Sequence, residues 1–410
     1  MPTTYGQSPW LDTFPRSRVP VYPRHRGHLD TSVAIIGGGL TGCATAYAFA
    51  AAGIKVALVE SGQIGRGASG ASAGWMSPDP GVSFVEIEQT QGLRAARHAF
   101  QAWRRAALDF SALIRRLNIK CQLGSATTVH AAMTPEQASA LKRDQKARRA
   151  AGLDAPMVGA RAVLAETGLA APLGIRLRDS AIIDPYRATV GLADAATARG
   201  AELFERSTAR RVRFRPKHVD IVLTDGTIKA DRVVIATGVP TPLFTPLIRH
   251  VWFRQAFLVL TERVPARIRR ALGRPACVVR DAASPEHVVR WVGEDRLLVS
   301  GADAEQGPAR LRDKTLVQRT GQLMYELSTL YPDISGLQPA YGWDAGYART
   351  LDGLPYIGPH RNFPRHLFAY VDTSRSVTGS LLASRILLRA YLDEADPADA
   401  PFGFARALVR

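Results

Sequence analysis

The sequence predicts a mixed α/β fold with two parts, a Rossmann-like nucleotide-binding domain and a second, separate domain. Three observations carry this. A glycine fingerprint lies between two short apolar runs near the N-terminus. A further apolar run ends far downstream at Ala236-Thr237-Gly238. The 410 residues also exceed one ordinary domain of roughly 150. Composition is that of a globular protein, 46% hydrophobic and 22% charged. That excludes disordered, collagen-like and disulfide-scaffold classes. The net charge is +17, and lysine supplies only seven of the 53 basic residues. Such an excess raises nucleic acid, an anionic membrane or an anionic ligand as partners, set against an arginine-rich composition carried on solvated faces.

Met1–Asp30 contains five prolines together with Tyr5, Trp10, Phe14 and Tyr22, and reads as an extended arm pinned by aromatic anchors or a partner-binding tail. It has no apolar core of the signal-peptide kind, so a cytoplasmic location is expected. Cys43, Cys121 and Cys277 are scattered, which indicates neither a disulfide framework nor a zinc site. Val33–Ile36 is an apolar run suited to a buried parallel strand. Gly37-x-Gly39-x-x-Gly42 follows, then an alanine-rich helix stopped at Gly53, then Lys55–Val59 as a second strand ending on Glu60. The uncharged stretch from Val33 to Ile54 is therefore two elements and a turn, not a membrane span. The first glycine makes the tight turn, the second admits a pyrophosphate, and the third lets helix and strand pack closely. The helix N-terminus offers free N–H groups to phosphate, and Glu60 is placed to accept from ribose hydroxyls. An acid at this point disfavours a 2′-phosphate.

Both NAD and FAD fit this fingerprint. The next segment, Gln63–Gly74 (QIGRGASGASAG), is dense in glycine and small residues. Here the sequence resembles the D-amino-acid-oxidase-like flavoproteins, in which the acid-ended strand leads into a G-x-G-A-S-G-type loop. Gly65, Gly67, Ala68, Ser69 and Gly70 match it. The resemblance continues through Asp184-Pro185 before a helix, Arg211-Val212, an Asp225-Gly226 hairpin, the strand ending at Gly238, and Tyr347–Pro359 (YARTLDGLPYIGP). It implies an FAD-binding domain and a substrate domain built on antiparallel sheet. It also implies oxidation of a C–N bond in an amine or amino acid, with dioxygen or another protein as electron acceptor.

Carried onto this chain, the resemblance assigns FAD contacts to Gly37, Gly39, Leu40, Thr41 and Gly42 at the first turn, and to Glu60 and Ser61 beyond the second strand. Arg66, Gly67, Ala68 and Ser69 follow in the loop, then Val212, Thr237 and Gly238. Ser376, Val377 and Thr378 precede the last long helix, whose N-terminus is expected near Thr378. Tyr347 is the candidate for a catalytic and substrate contact, with Trp75 and Arg290 as further substrate contacts. No metal site is expected.

The chain departs from the family at four places. Arg375 and Ser376 stand where a histidine–glycine pair is usual. Ala345 occupies the region of a flavin-linking cysteine, and no histidine lies in the 65–75 loop, so non-covalent FAD is expected. Val299 stands where sarcosine oxidase has a lysine, which favours a dehydrogenase over an oxidase. By position, residues 31–90, 180–245 and 340–395 are expected in the FAD domain. Residues 91–179 and 246–339 are expected in the substrate domain, with an arm at 1–30 and a tail at 396–410. Between 91 and 150, twelve basic residues face three acidic ones. Phe100, Trp103, Phe110, Leu113, Ile114 and Leu117 recur at helical spacing there, which favours a packed stripe with solvated arginines. The competing readings are a nicotinamide-dependent dehydrogenase and an RNA- or membrane-associated subunit with a structural flavin.

Overall fold

Two sheets organise the chain, and the sequence alternates between them. The computed structural model describes residues 2–371 and 376–406, so Arg375 and the end of the 396–410 tail lie outside the described residues. In the first sheet the strands Phe363–Tyr370, Gly226–Ile235, Gly27–Ile36, Val56–Val59 and Glu202–Phe204 run parallel in that order. Tyr356–His360 closes one edge antiparallel, and a meander of Ala209–Phe214 and Val219–Leu223 extends from Gly226–Ile235.

The central strands are apolar at successive positions because both faces are covered. Val33, Ile35, Val56 and Leu58 enter one cluster with helices Leu40–Ala51, Pro185–Thr197 and Thr378–Tyr391. Ala34, Ile36, Ala57 and Val59 enter another with Val219, Ile221, Phe244 and Phe368. The helix expected near Thr378 begins at that residue. The fingerprint strand starts at Gly27, earlier than Val33, because its polar first half pairs in register with Gly226–Ala230.

The second sheet has ten strands. Its path runs Thr4–Tyr5, Pro339–Arg349, Trp252–Thr261, Arg296–Glu305, Val288–Val292, Cys277–Asp281, Gly124–Ala132, Leu173–Ile182 and Trp75–Met76. Pairing is antiparallel except at Thr4–Tyr5 with Pro339–Arg349 and at Cys277–Asp281 with Gly124–Ala132. Two of the expected limits therefore shift. Pro339–Arg349 and Trp75–Met76 pair in this sheet, although position in sequence assigned both to the nucleotide-binding part. These strands carry the chain across, and their partners Trp252–Thr261 and Leu173–Ile182 are remote in sequence.

The 24-residue helix Leu93–Arg116 buries Phe100, Trp103, Phe110, Leu113 and Ile114. Its arginines at 94, 97, 104, 105, 115 and 116 are all exposed. Arg104 pairs with Asp179, and Arg105 with Asp109. In the arm, Trp10 is buried and donates to Ser72 O at 2.9 Å, Phe14 packs edge-on against Tyr186, and Tyr22 donates to Asp194. Tyr5 is exposed and anchors nothing by burial. Among the described residues no helix is long and apolar enough to cross a membrane, and no metal-binding group of side chains occurs.

Candidate active site

Two cavities are lined by neighbouring residues of the chain, Tyr370 on one and Val371 on the other. The first, about 640 Å³, opens over the carboxyl ends of the parallel strands. That is where ligands sit in doubly wound sheets. Its floor is the fingerprint turn. Gly37 holds φ +115° and a Cβ there would stand 2.4 Å from Ala236 O, so no side chain fits between the two strands. At Gly42 a Cβ would lie 1.9 Å from Gly37 O, which makes this glycine the helix-to-strand packing contact and not a cavity wall. Gly39 is the N-cap of Leu40–Ala51 and has no side chain to close the helix end. Leu40 N donates to Ser69 Oγ at 2.8 Å, which ties the second loop to the first.

Gly37, Gly39, Leu40, Thr41, Glu60 and Ser61 line this cavity. Gly67, Ala68, Ser69, Thr237 and Gly238 line it as well. Glu60 accepts from Gly38 N and Gly62 N, each at 2.7 Å, and from Ser61 Oγ at 3.1 Å. Those bonds fix the carboxylate while leaving acceptor capacity on its oxygens. Two further expectations are not met by the cavity lining. Arg66 is exposed, its side chain bonds the Tyr186 hydroxyl, and it is not among the residues lining the cavity. Val212 packs into the apolar cluster behind the sheet, and the lining comes instead from Ser207, Thr208, Ala209 and Arg210. These lining residues lie at the entry to the strand Ala209–Phe214. Thr241, Pro242, Leu243 and Val371 also line the cavity and carry no motif that marks them in sequence.

The second cavity, about 490 Å³, lies between the sheets and is lined by Trp75, Tyr347 and Ser376 among others. The segment before the last helix is stitched to Trp75–Ser77. Val377 N donates to Trp75 O at 2.9 Å, Ser77 N to Ser376 Oγ at 3.2 Å, and Thr378 Oγ1 to Ser77 O at 2.8 Å. Val377 and Thr378 therefore position the wall, while Ser376 is part of it. Tyr347 donates its hydroxyl to the Asp303 carboxylate. Trp103 Nε1 and the Tyr370 hydroxyl are buried on this cavity without a partner among the described residues. Asp79 forms part of the wall with Arg148 and Arg280 at 3.4 and 3.5 Å. Burial works against its charge, but the two guanidinium groups outweigh it and hold the carboxyl below its ordinary pKa.

Arg290 lines neither of these two cavities. It donates to Ala73 O, Trp291 O and Ile183 O, and lies over the Trp10 ring. Burial lowers its pKa to about 9, and its carbonyl partners make it a clamp between segments. Sequence reasoning missed Trp103, Tyr370, Asp79, Arg254 and Asp303. Trp103 was hidden as one of an apolar helix stripe, and only the tertiary contact shows that one edge reaches the cavity.

A family profile described as "FAD dependent oxidoreductase" (DAO) matches residues 32–390. The gamma-glutamylputrescine oxidoreductase of Escherichia coli (strain K12) is 24% identical, covering 91% of this chain and 86% of that protein. The glycine oxidase of Bacillus licheniformis is 24% identical, covering 88% and 94%. The crystal structure of glycine oxidase from Geobacillus kaustophilus superposes with a TM-score of 0.76 at 22% identity, covering 93% of this chain and all of that one.

Proposed function

Since the chain belongs to the DAO family of FAD-dependent oxidoreductases, we propose that it oxidises a C–N bond of an amine or amino acid in the cavity bounded by Trp75 and Tyr347. The observation that carries this is a pair of neighbours: Tyr370 lines the inner cavity, and Val371, the next residue, lines the one over the glycine turn. A cofactor held in the first cavity thus borders whatever fills the second. The glycine cradle fits FAD, because Gly37 and Gly39 keep backbone open where any side chain would intrude, and Gly67 has free space above it. Gly39–Thr41 at the helix N-terminus would hold the pyrophosphate, Glu60 the ribose, and Thr237 and Gly238 the opposite side.

FAD held by Gly39–Thr41, Glu60, Thr237 and Gly238 would supply a two-electron acceptor for the hydride of the carbon bearing nitrogen. The nitrogen lone pair then forms the C=N bond, nitrogen loses a proton, and water hydrolyses the imine to a carbonyl compound and an amine or ammonia. The chain's residues orient the donor carbon and exclude water. Trp103, Tyr370, Ser77 and Ser376 bring polar side chains to the wall of this cavity, and Asp79 stays ionised across the neutral range. Tyr347 fixes its own ring through Asp303. Flavin attachment is non-covalent in this reading: Ala345 is buried in an apolar cluster and offers no linking thiol.

Purified protein should be yellow, and acid precipitation should release the colour to the supernatant. Anaerobic addition of amines and amino acids should bleach it. Slow re-oxidation by air with fast re-oxidation by an artificial dye is expected, because Val299 packs in the second core and brings no charge to a cavity. Colourless protein that takes up no added FAD would sink this reading.

A further inference from the structure

The inner cavity does not end at Tyr347. A further chamber of about 620 Å³ adjoins it on the solvent side, and Arg254, Arg349 and Thr350 line both. Trp252, Leu351 and Glu305 complete its outer wall. Register explains the arrangement. On the antiparallel strands Trp252–Thr261 and Pro339–Arg349, Arg254 lies opposite Tyr347 and Trp252 opposite Arg349. Alternate residues share a face, and a two-residue step advances about 7 Å. The four side chains therefore form two ranks on one face, Tyr347 with Arg254 inside and Arg349 with Trp252 outside. Exposure rises in that direction, from 7% at Tyr347 to 54% at Trp252.

The charges in this chamber are incompletely matched. Among the described residues, Arg254 has one ion pair, to Glu305 at 3.8 Å, and Glu305 is 90% exposed. The Arg254 Nε is buried and has no partner among the described residues. The Arg349 guanidinium has no acidic or hydrogen-bonding partner among the described residues. Two guanidinium groups against one solvated carboxylate leave a positive step between the inner cavity and solvent.

Resting on the reading of the inner cavity as the place of C–N oxidation, we propose that this chamber is a subsite for the far end of an elongated substrate, and that this end carries a carboxylate. The amine enters first and reaches the inner cavity. An apolar stem runs past Tyr347, and the carboxylate stops between Arg254 and Arg349, where planar guanidinium groups match its geometry. The substrate class is thus a linear ω-amino acid or an amine with an equivalent acidic tail. A short amino acid fills the inner cavity alone and leaves the second rank unused.

The test uses the FAD-loaded full chain, mixed anaerobically with ω-amino acids from glycine to aminohexanoate and with alkylamines of matching length. The second-order rate of flavin reduction is read for each. For the long members, the acid should exceed its matching alkylamine at least tenfold, and that ratio should fall toward one in R254Q and in R349Q. Added salt should lower the ratio in the parent protein, because the outer rank is exposed to screening. A ratio near one at every length overturns the proposal while the C–N reading stands. So does a ratio that neither substitution changes. If no amine reduces the flavin at any length, the C–N reading fails and takes the subsite with it. Should R254Q fail to hold FAD, R349Q at the exposed end of its strand decides the matter alone.

Discussion

Arg406 and Arg290 show how burial changes the meaning of a charged residue. Arg406 reaches back from near the C-terminus to Asp352 at 2.8 Å, donates to Leu354 O and Pro355 O, and lies 3.7 Å above the Tyr356 ring. Both partners of this pair are shielded, with side-chain exposures of 2% and 1%. Asp352 also accepts from Gln91 and from Thr350, and Thr350, Leu354 and Pro355 line the inner cavity. The latch therefore shapes a cavity wall from the far end of the chain. R406M should cost about 3–5 kcal/mol, because it strands a buried carboxylate. Urea denaturation measures this, and the D352N/R406M double variant should recover part of the loss. If R406M alone is neutral, the latch carries no stability.

Among the elements, the glycine turn and the loop after Asp281 lend themselves to separate tests. G42A sets a methyl group against Gly37 O and should block close packing of helix on strand, with protein that is colourless or insoluble. G67A meets no protein atom within 4 Å. It should therefore leave the melting temperature of the FAD-free protein within a degree or two while weakening FAD retention; unchanged FAD binding would show that the cofactor avoids this space. In the loop, His287 bonds Asp281 through Nδ1 at 2.7 Å and Glu326 through Nε2 at 2.9 Å. Burial alone lowers its pKa, but the hydrogen bonds and charges of Asp281 and Glu326 outweigh that and raise it to about 9. A raised folded pKa means that this stability is fully present below the unfolded value near 6.5 and is lost as pH rises through 9. The effect is on the order of 3 kcal/mol. The melting temperature should fall across that window in the parent protein and stay flatter in H287Q. Ala283, Ser284, Pro285 and Glu286, which this clamp holds, line the inner cavity.

At the scale of the whole molecule, charge and thiols are both quieter than composition suggests. Residues 91–150 carry twelve basic and three acidic side chains, and the six arginines of the helix Leu93–Arg116 within them are exposed, with Arg104 paired to Asp179 and Arg105 to Asp109, while its aromatic face is buried. Retention on immobilised RNA should be weak; strong retention with a steep salt dependence would restore a phosphate-binding role. Cys43, Cys121 and Cys277 are all buried and unpaired. Burial raises all three thiols, with Cys121 and Cys277 pushed up to about 12. Ellman's reagent should therefore find none promptly in native protein and three after denaturation.

Local chemistry made part of this protein readable in the sequence alone. The strand–glycine–helix–strand–acid order specifies a turn that only glycine fits, so Gly37, Gly39, Gly42 and Glu60 were legible where they stand, as was the helix beginning at Thr378. The family resemblance rests on the same kind of short, contiguous pattern. The substrate side left no such pattern. Trp103, Tyr370, Asp79 and Arg254 come from four separate segments, and register between strands remote in sequence brings them to one cavity. Arg290 looked like a site residue by proximity to one, and three carbonyl oxygens turned it into a clamp. The sequence by itself determined the nucleotide-binding half, because backbone approach to a phosphate constrains consecutive residues. Only the tertiary structure decided the inner cavity, because its walls are set by side chains that meet after the chain has crossed between its two sheets.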